Sequence, residues 1–237
     1  MQRNPSTTLS RRRRQVPWAV MALAALGTVA FAVPPTLSSD PAASRVPIDP
    51  DVAWHALTLT VHALPGGLAL ALGPLQFLTR LRARRPHVHR IVGRVYLGSV
   101  VVAAVVSLFA ALYSLSGLSA QVAFALLTVL WLYTAYRGYT SIRHGQIKAH
   151  RIWMTRNYAL TYSAVALRVF LLAGVVLKRN VAPDLPFDQI YTTSAWAAIL
   201  VNLVVVEYVI LRRVTMPPTV RERLRPAVGS TPVATPA

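Results

Sequence analysis

The chain has no cysteine, few charged residues and very little acid. With no Cys among 237 residues, disulfides, thiolate nucleophiles and cysteine-ligated zinc or iron–sulfur centres are excluded. Charged residues make up 14% of the chain, against about 25% in a soluble domain, too few to coat a globule. Only 7 Asp+Glu stand against 25 Lys+Arg, and Lys148 and Lys178 are the only lysines. The sequence also lacks an H-E-x-x-H zinc motif, a glycine-rich phosphate loop and a nucleophile-base-acid constellation, which disfavours a soluble type of enzyme.

What is present is apolar: 54% of residues are hydrophobic although the formal net charge is +18. A nucleic-acid binder spreads its cations over a soluble surface, whereas here the arginines fall in short blocks between long, nearly uncharged runs. The expected partner is therefore the lipid bilayer, with anionic headgroups at the basic tails, and not nucleic acid. Regular apolar blocks interrupted by 17 Pro and 11 Gly also argue against a disordered chain.

Crossing a hydrocarbon core of about 30 Å takes about 20 apolar residues at about 1.5 Å each. Six segments qualify: 17–37, 53–78, 91–113, 121–138, 152–177 and 191–211. The expected fold class is all-α, a polytopic transmembrane helix bundle. It divides into a basic tail (1–16), a first transmembrane helix (17–37), a five-helix membrane core (53–211) and a second tail (212–237), disordered over 225–237.

Arginine placement orients the bundle, since short cytoplasmic segments are enriched in Lys and Arg. Arg11 to Arg14 precede the first span, and Arg80, Arg82, Arg84, Arg85 and Arg90 join the second to the third. Arg143, Lys148 and Arg151 join the fourth to the fifth, and Arg212, Arg213, Arg221, Arg223 and Arg225 follow the sixth. These alternate segments share one side, which places both termini in the cytoplasm. The first span has a second reading: a basic stretch, an apolar stretch and Ala30-Phe31-Ala32 also fit a cleaved signal peptide, which would leave five spans. Its continuation into Val33 and its spanning length favour an uncleaved helix. Arg11-Arg12 also permits a twin-arginine reading, but a run of four arginines is more often a topology signal.

Two basic connections end alike. His89-Arg90-Ile91, then Arg94 and Tyr96, opens the third span; His150-Arg151-Ile152, then Arg156 and Tyr158, opens the fifth. Spans two and three, and four and five, therefore read as two parallel repeats, an arrangement that often places a site at the repeat interface. The plainer reading is that these His and Arg residues anchor helix ends at the interface.

Polar groups inside spans are costly and mark function unless a structural partner exists. On the fifth span His150, Asn157, Thr161 and Arg168 are spaced by 7, 4 and 7 residues, a polar stripe within roughly 20° of one line that has to face the bundle interior. On the second span His55, His62, Gly66 and Gly73 repeat that spacing, with His62 near mid-membrane and Pro65 freeing a backbone carbonyl. Glu207 is the only carboxylate within a span. Arg94 and Arg156 lie at its depth, so a structural ion pair is the first expectation and a proton relay the second. Asn202 lies deeper, off the Glu207 face. Arg168 has no acid inside a span; it snorkels outward, meets Asp184 or Asp188, or binds an anionic group.

The run His62-Ala63-Leu64-Pro65-Gly66-Gly67 to Gly73-Pro74-Leu75-Gln76-Phe77, then His89-Arg90-Ile91-Val92-Gly93-Arg94-Val95-Tyr96, then Ala149-His150-Arg151-Ile152-Trp153-Met154-Thr155-Arg156-Asn157-Tyr158-Ala159-Leu160 resembles a bacterial family of predicted membrane proteins, domain of unknown function 2306. The resemblance extends from about Ala53 through Trp196 to Glu207. It implies a polytopic inner-membrane protein of undefined biochemistry and carries over no catalytic residue. The His-Arg-x-x-Gly-Arg opening is also loosely similar to segments of transmembrane cytochrome b families, a fold-level analogy only.

Three functions follow from these residues. A membrane redox protein would hold b-type haem or a quinone through His62, His89 and His150, with Arg94 and Arg156 beside them; His89 and His150 share a depth, whereas His62 has no partner histidine at its own. A small-solute transporter would use the polar stripe, the second span and Arg168 or Arg156. A non-catalytic assembly module would need these groups only for helix packing. A metal site built from His87, His89, His144 and His150 is a weaker alternative, since no Cys or carboxylate lies nearby.

Overall fold

The computed structural model describes residues 5–38, 54–112 and 116–215. The side chain of His55, the acidic residues Asp40, Asp49 and Asp51, and the expected disorder of 225–237 lie outside the described residues. Among the described residues every regular element is helical. The helices are α1 (Pro5–Ala32), followed by a 3-10 turn (Pro34–Leu37), α2 (His55–Gln76), α3 (Thr79–Arg84), α4 (Pro86–Leu112), α5 (Leu118–Arg143), α6 (Ile147–Asn180) and α7 (Phe187–Thr215). Six are long and apolar enough to cross a membrane, and these are the six expected spans. The helices outrun the apolar segments that announce them. α6 has 34 residues, roughly 51 Å of helix, because hydropathy stops at the first charge while backbone hydrogen bonding continues through it.

Local chemistry sets the boundaries. Pro86 occupies the first position of α4, where its missing N–H costs nothing and its fixed φ suits a helix start. α5 ends in a Schellman turn: Gln146 N–H bonds Ser141 O at 2.9 Å, Gly145 N–H bonds Ile142 O at 3.1 Å, and Gly145 takes φ +70°. α6 ends at Asn180, two residues before the Ala182-Pro183 pair, and Asp188 sits in the first turn of α7, where it complements the helix dipole.

Sequential helices are neighbours. α2 packs along α4, α4 along α5, α5 along α6 and α6 along α7, while α1 lies on α2 with a lighter contact to α6. The α2–α3–α4 and α5–α6 connections come together at one end, here called the basic end, with Arg82, Arg84, Arg85, Arg143 and Lys148. The helix seams are lined by small residues: Ala69, Ala103, Ala104, Ala123 and Ala195 are buried, as helices need when dispersion rather than water expulsion draws them together. Large aliphatic side chains turn outward, among them Val101, Val105, Leu172, Val204 and Val205. An apolar exterior over a small-residue interior is a bundle made for lipid.

α1 belongs to this packing. Trp18 Nε1 donates to the carbonyl of Pro74 at 2.8 Å, and Val29 and Val33 lie over Gly67, where an added Cβ would come within 2.9 Å of Val33 Cγ2. At the other end of α2, Thr60 Oγ1 donates to Thr36 O at 2.7 Å.

Candidate functional site

The polar groups fall at three levels. In the middle, α4, α5 and α6 meet around Asn157, which is 0% exposed, with Tyr96 at 1% and Thr161 at 5%. Tyr96 Oη donates to Asn157 Oδ1 at 2.7 Å and lies 2.9 Å from Thr161 Oγ1. Asn157 Nδ2 donates to Trp131 O and Thr134 Oγ1, both at 2.9 Å, and Trp131 Nε1 donates to Thr161 Oγ1 at 2.9 Å. Both amide hydrogens and the amide oxygen of Asn157 are therefore used. A network in which every amide donor is used fixes helix register. The stripe of α6 does face the interior, but at Asn157 and Thr161 it is structural.

Tyr158 shows why this level packs so tightly. Pro74 has no N–H with which to bond the carbonyl of Leu70, four residues back, and Tyr158 Oη donates to that carbonyl at 3.2 Å. The ring reaches α2 because Gly73 has no side chain: an added Cβ would overlap Tyr158 Cε2 and Cδ2. Phe77, Tyr96 and Tyr162 surround the ring, with centroids at 5.4, 6.4 and 6.0 Å.

At the basic end Arg156 grips Glu207 with two hydrogen bonds, Nε to Oε1 at 2.5 Å and Nη2 to Oε2 at 2.8 Å. Of the two arginines expected at this depth, Arg156 takes the acid; Arg94 points out of the bundle and is exposed. Trp153 lies between two guanidinium groups, Arg156 at 4.7 Å and Arg137 at 4.8 Å from its ring centroid. Asn202 donates to Ser163 Oγ at 3.2 Å, a contact between α6 and α7.

The same end holds the groups that are not satisfied. Among the described residues, the buried side-chain polar atoms without a hydrogen-bond partner are Gln76 Nε2 and His89 Nδ1. They belong together: an added Cβ on Gly93 would lie 3.4 Å from Gln76 Oε1, and His89 stands one turn before Gly93 on the same face of α4. Arg82 and His150 are the ionisable neighbours of His89, and Phe77 follows Gln76. His150 is anchored differently: its Nδ1 lies 2.8 Å from Gly138 O, and a carbonyl only accepts, so the proton sits on Nδ1 and Nε2 is left over. Gly138 permits this approach, since a Cβ there would come within 2.6 Å of Met154 Sδ.

In the opposite half, His62 Nδ1 lies 3.0 Å from Ala103 O, which binds α2 to α4. Arg168 Nη1 donates to Ala164 O, one turn back on its own helix, at 2.6 Å. Neither Asp184 nor Asp188 pairs with it, and the Arg156–Glu207 pair is the ion pair found among the described residues.

The three histidines therefore stand at two levels, His89 with His150 at the basic end and His62 in the opposite half. His87 is exposed, and His144 turns its Nδ1 to Thr140 O at 2.8 Å. Among the described residues no group of three or more His, Cys, Asp or Glu comes together in a way that holds a metal ion, so the four-histidine arrangement does not assemble. Gln76 was the residue that spacing arguments passed over. Its one signal was its place in the Gly-Pro-Leu-Gln-Phe segment, an amide at the end of a span beside an unpaired histidine.

A family model described as "Predicted membrane protein (DUF2306)" matches residues 59–210. No curated protein and no solved structure matches the chain.

Proposed function

We propose, from the premise that the chain belongs to the DUF2306 family of predicted membrane proteins, that it binds the headgroup of a lipid-soluble quinone at the basic end, between α2, α4 and α6. The basic end faces the cytoplasm, as the arginine distribution favours, and the reading of the membrane as the cell inner membrane rests on the resemblance to the family. α1 stays with the mature protein; its bonds to α2 support that reading. One observation carries the proposal. Among the described residues the buried side-chain polar atoms left without a partner are Gln76 Nε2 and His89 Nδ1, and the Gln76 side chain reaches α4 at Gly93, one turn after His89.

An unpaired buried polar group calls for a partner. An amide N–H needs an acceptor, and an imidazole Nδ1–H donates to one as well. Two donors at the end of a lipid-facing bundle, with Phe77 and Tyr158 as aromatic walls, suit a flat apolar ring bearing carbonyl oxygens. The prenyl tail of such a molecule lies in the bilayer beside the apolar outer faces of α2 and α4.

The test is titration of the full chain in nanodiscs with ubiquinone-1 and with menadione, followed by tryptophan quenching. Saturable binding is expected, weakened roughly 2- to 12-fold by Gln76→Leu or His89→Leu, as for loss of one hydrogen bond of about 0.5–1.5 kcal/mol, and unchanged by His87→Leu. Absence of saturable binding, or wild-type affinity in both Gln76→Leu and His89→Leu, refutes the assignment. A second reading draws on His150, whose Nδ1–H bond to a carbonyl leaves Nε2 as the nitrogen that would ligate iron if haem b were bound. A Soret band in the purified protein that disappears in His150→Ala would favour haem b over quinone.

A further inference from the structure

We propose that Arg168 is the centre of a second site, in the half of the bundle opposite the quinone site, that binds a carboxylate group. The inference is independent of the quinone reading and uses none of its residues. Arg168 is a half-buried guanidinium within a spanning helix, with no carboxylate counter-ion among the described residues. The other arginine inside the bundle, Arg156, has Glu207 held by two bonds. The fold thus neutralises one intramembrane cation and leaves the other.

The bland explanation is that Arg168 snorkels to the nearer surface, and its geometry speaks against this. α6 runs from the basic end to the opposite end, so a snorkelling side chain would extend toward Asn180. Instead Nη1 turns back to the carbonyl of Ala164, which draws the guanidinium toward the bilayer middle. A guanidinium has five N–H donors, and this bond uses one.

The level it reaches is that of His62. α2 and α6 run in opposite directions and meet where Tyr158 Oη touches Leu70 O. His62 is eight residues from Leu70, about 12 Å along the axis, and Ala164 six residues from Tyr158, about 9 Å in the same direction. Both therefore lie within about 3 Å of one depth. His62 and Tyr191 are the ionisable neighbours of Arg168. His62 is held by α4 through Ala103 O, and Tyr191 by ring contacts with Phe124 and Phe187 at 5.9 and 6.4 Å. Arg168 is thus faced by a histidine on α2 and a phenol on α7, with no acid from any packed helix. A planar guanidinium fork pairs with the two oxygens of a carboxylate through two parallel hydrogen bonds.

The carboxylate comes either from a water-soluble acid or from a fatty acid in the bilayer, and the experiment separates the two. Full-length protein in nanodiscs is titrated with benzoate and, in a second arm, with oleate, reading the unfolding midpoint and direct binding by calorimetry. Binding in one arm is expected, with a loss of at least about tenfold in Arg168→Gln and a smaller loss in Arg168→Lys. Without anion, Arg168→Gln is expected to unfold no earlier than the wild type, because no carboxylate among the described residues pairs with the charge removed. The proposal is overturned if neither benzoate nor oleate binds the wild type. It is equally overturned if Arg168→Gln binds them as well as the wild type does, or if that variant is destabilised without anion, since its role is then structural.

Discussion

Gly73→Ala places one methyl group where the structure has none to spare. The added Cβ would overlap Tyr158 Cε2 and Cδ2, so either the ring moves or α2 and α6 separate. Neither movement is free, because Tyr158 is 4% exposed and packs against three other rings. Overpacking costs about 1–3 kcal/mol. Displacing the hydroxyl from Leu70 O removes a bond worth about 1 kcal/mol and leaves a carbonyl that Pro74 already deprives of its helical partner. The expected loss for Gly73→Ala is therefore about 2–4 kcal/mol, most of it packing, since lipid is as apolar as the helix seam. Tyr158→Ala alone opens a cavity and costs about 3–5 kcal/mol. In the double variant the new methyl projects into that cavity, so the two effects do not add, and a coupling of at least about 1.5 kcal/mol in favour of the double variant is expected. The assay is reversible unfolding of the four proteins in mixed micelles, with helical ellipticity as the signal. Additive losses, or a Gly73→Ala protein as stable as the wild type, would show that the glycine is not there to admit the tyrosine.

Two further outcomes follow from the middle and the basic end. Asn157→Leu should cost about 2 kcal/mol in the same unfolding assay, because Tyr96 Oη, Thr134 Oγ1 and Trp131 O lose their shared partner in a buried place, whereas Tyr96→Phe, which leaves Asn157 two of its three bonds, should cost about 1 kcal/mol; equal losses would mean that Asn157 is not the hub. Arg156→Lys should lose only about 0.5–1 kcal/mol, since Glu207 is 39% exposed and the deficit is confined to the paired fork and the Trp153 stack; a larger loss would mean that the pair is shielded from solvent.

The apolar runs and the arginine blocks announced the six helices and their alternation, because membrane length and backbone satisfaction leave a sequence little choice. The stripe of α6 was legible too, since a period of 3.6 places His150, Asn157, Thr161 and Arg168 on one face whatever surrounds them. Spacing on one helix says nothing, however, of how its neighbour is rotated. Glu207 had two arginines at its depth, and only the placement of α4 and α6 decided for Arg156 over Arg94. Asn157 looked like a site residue and is a saturated structural hub, because Trp131 and Thr134 come from a helix whose facing side was not fixed by its own pattern. Gln76 went the other way: an amide near a helix end is unremarkable until, among the described residues, only it and His89 are found to leave a buried side-chain polar atom without a partner.

Pro74 has a consequence for the order in which the protein is put together. It leaves the carbonyl of Leu70 without its helical donor, and the donor that replaces it belongs to Tyr158, 88 residues further along the chain. At a synthesis rate of about 5–20 residues per second, α2 precedes Tyr158 by an interval on the order of 10 s. During that time the carbonyl must be met by water or by the membrane interface, because hydrocarbon cannot satisfy it. Trp18, which donates to Pro74 O, belongs to α1 and is already present to hold this end of α2 in the meantime. A single proline makes the last turn of α2 the latch that the bundle closes late, with α1 as its temporary keeper.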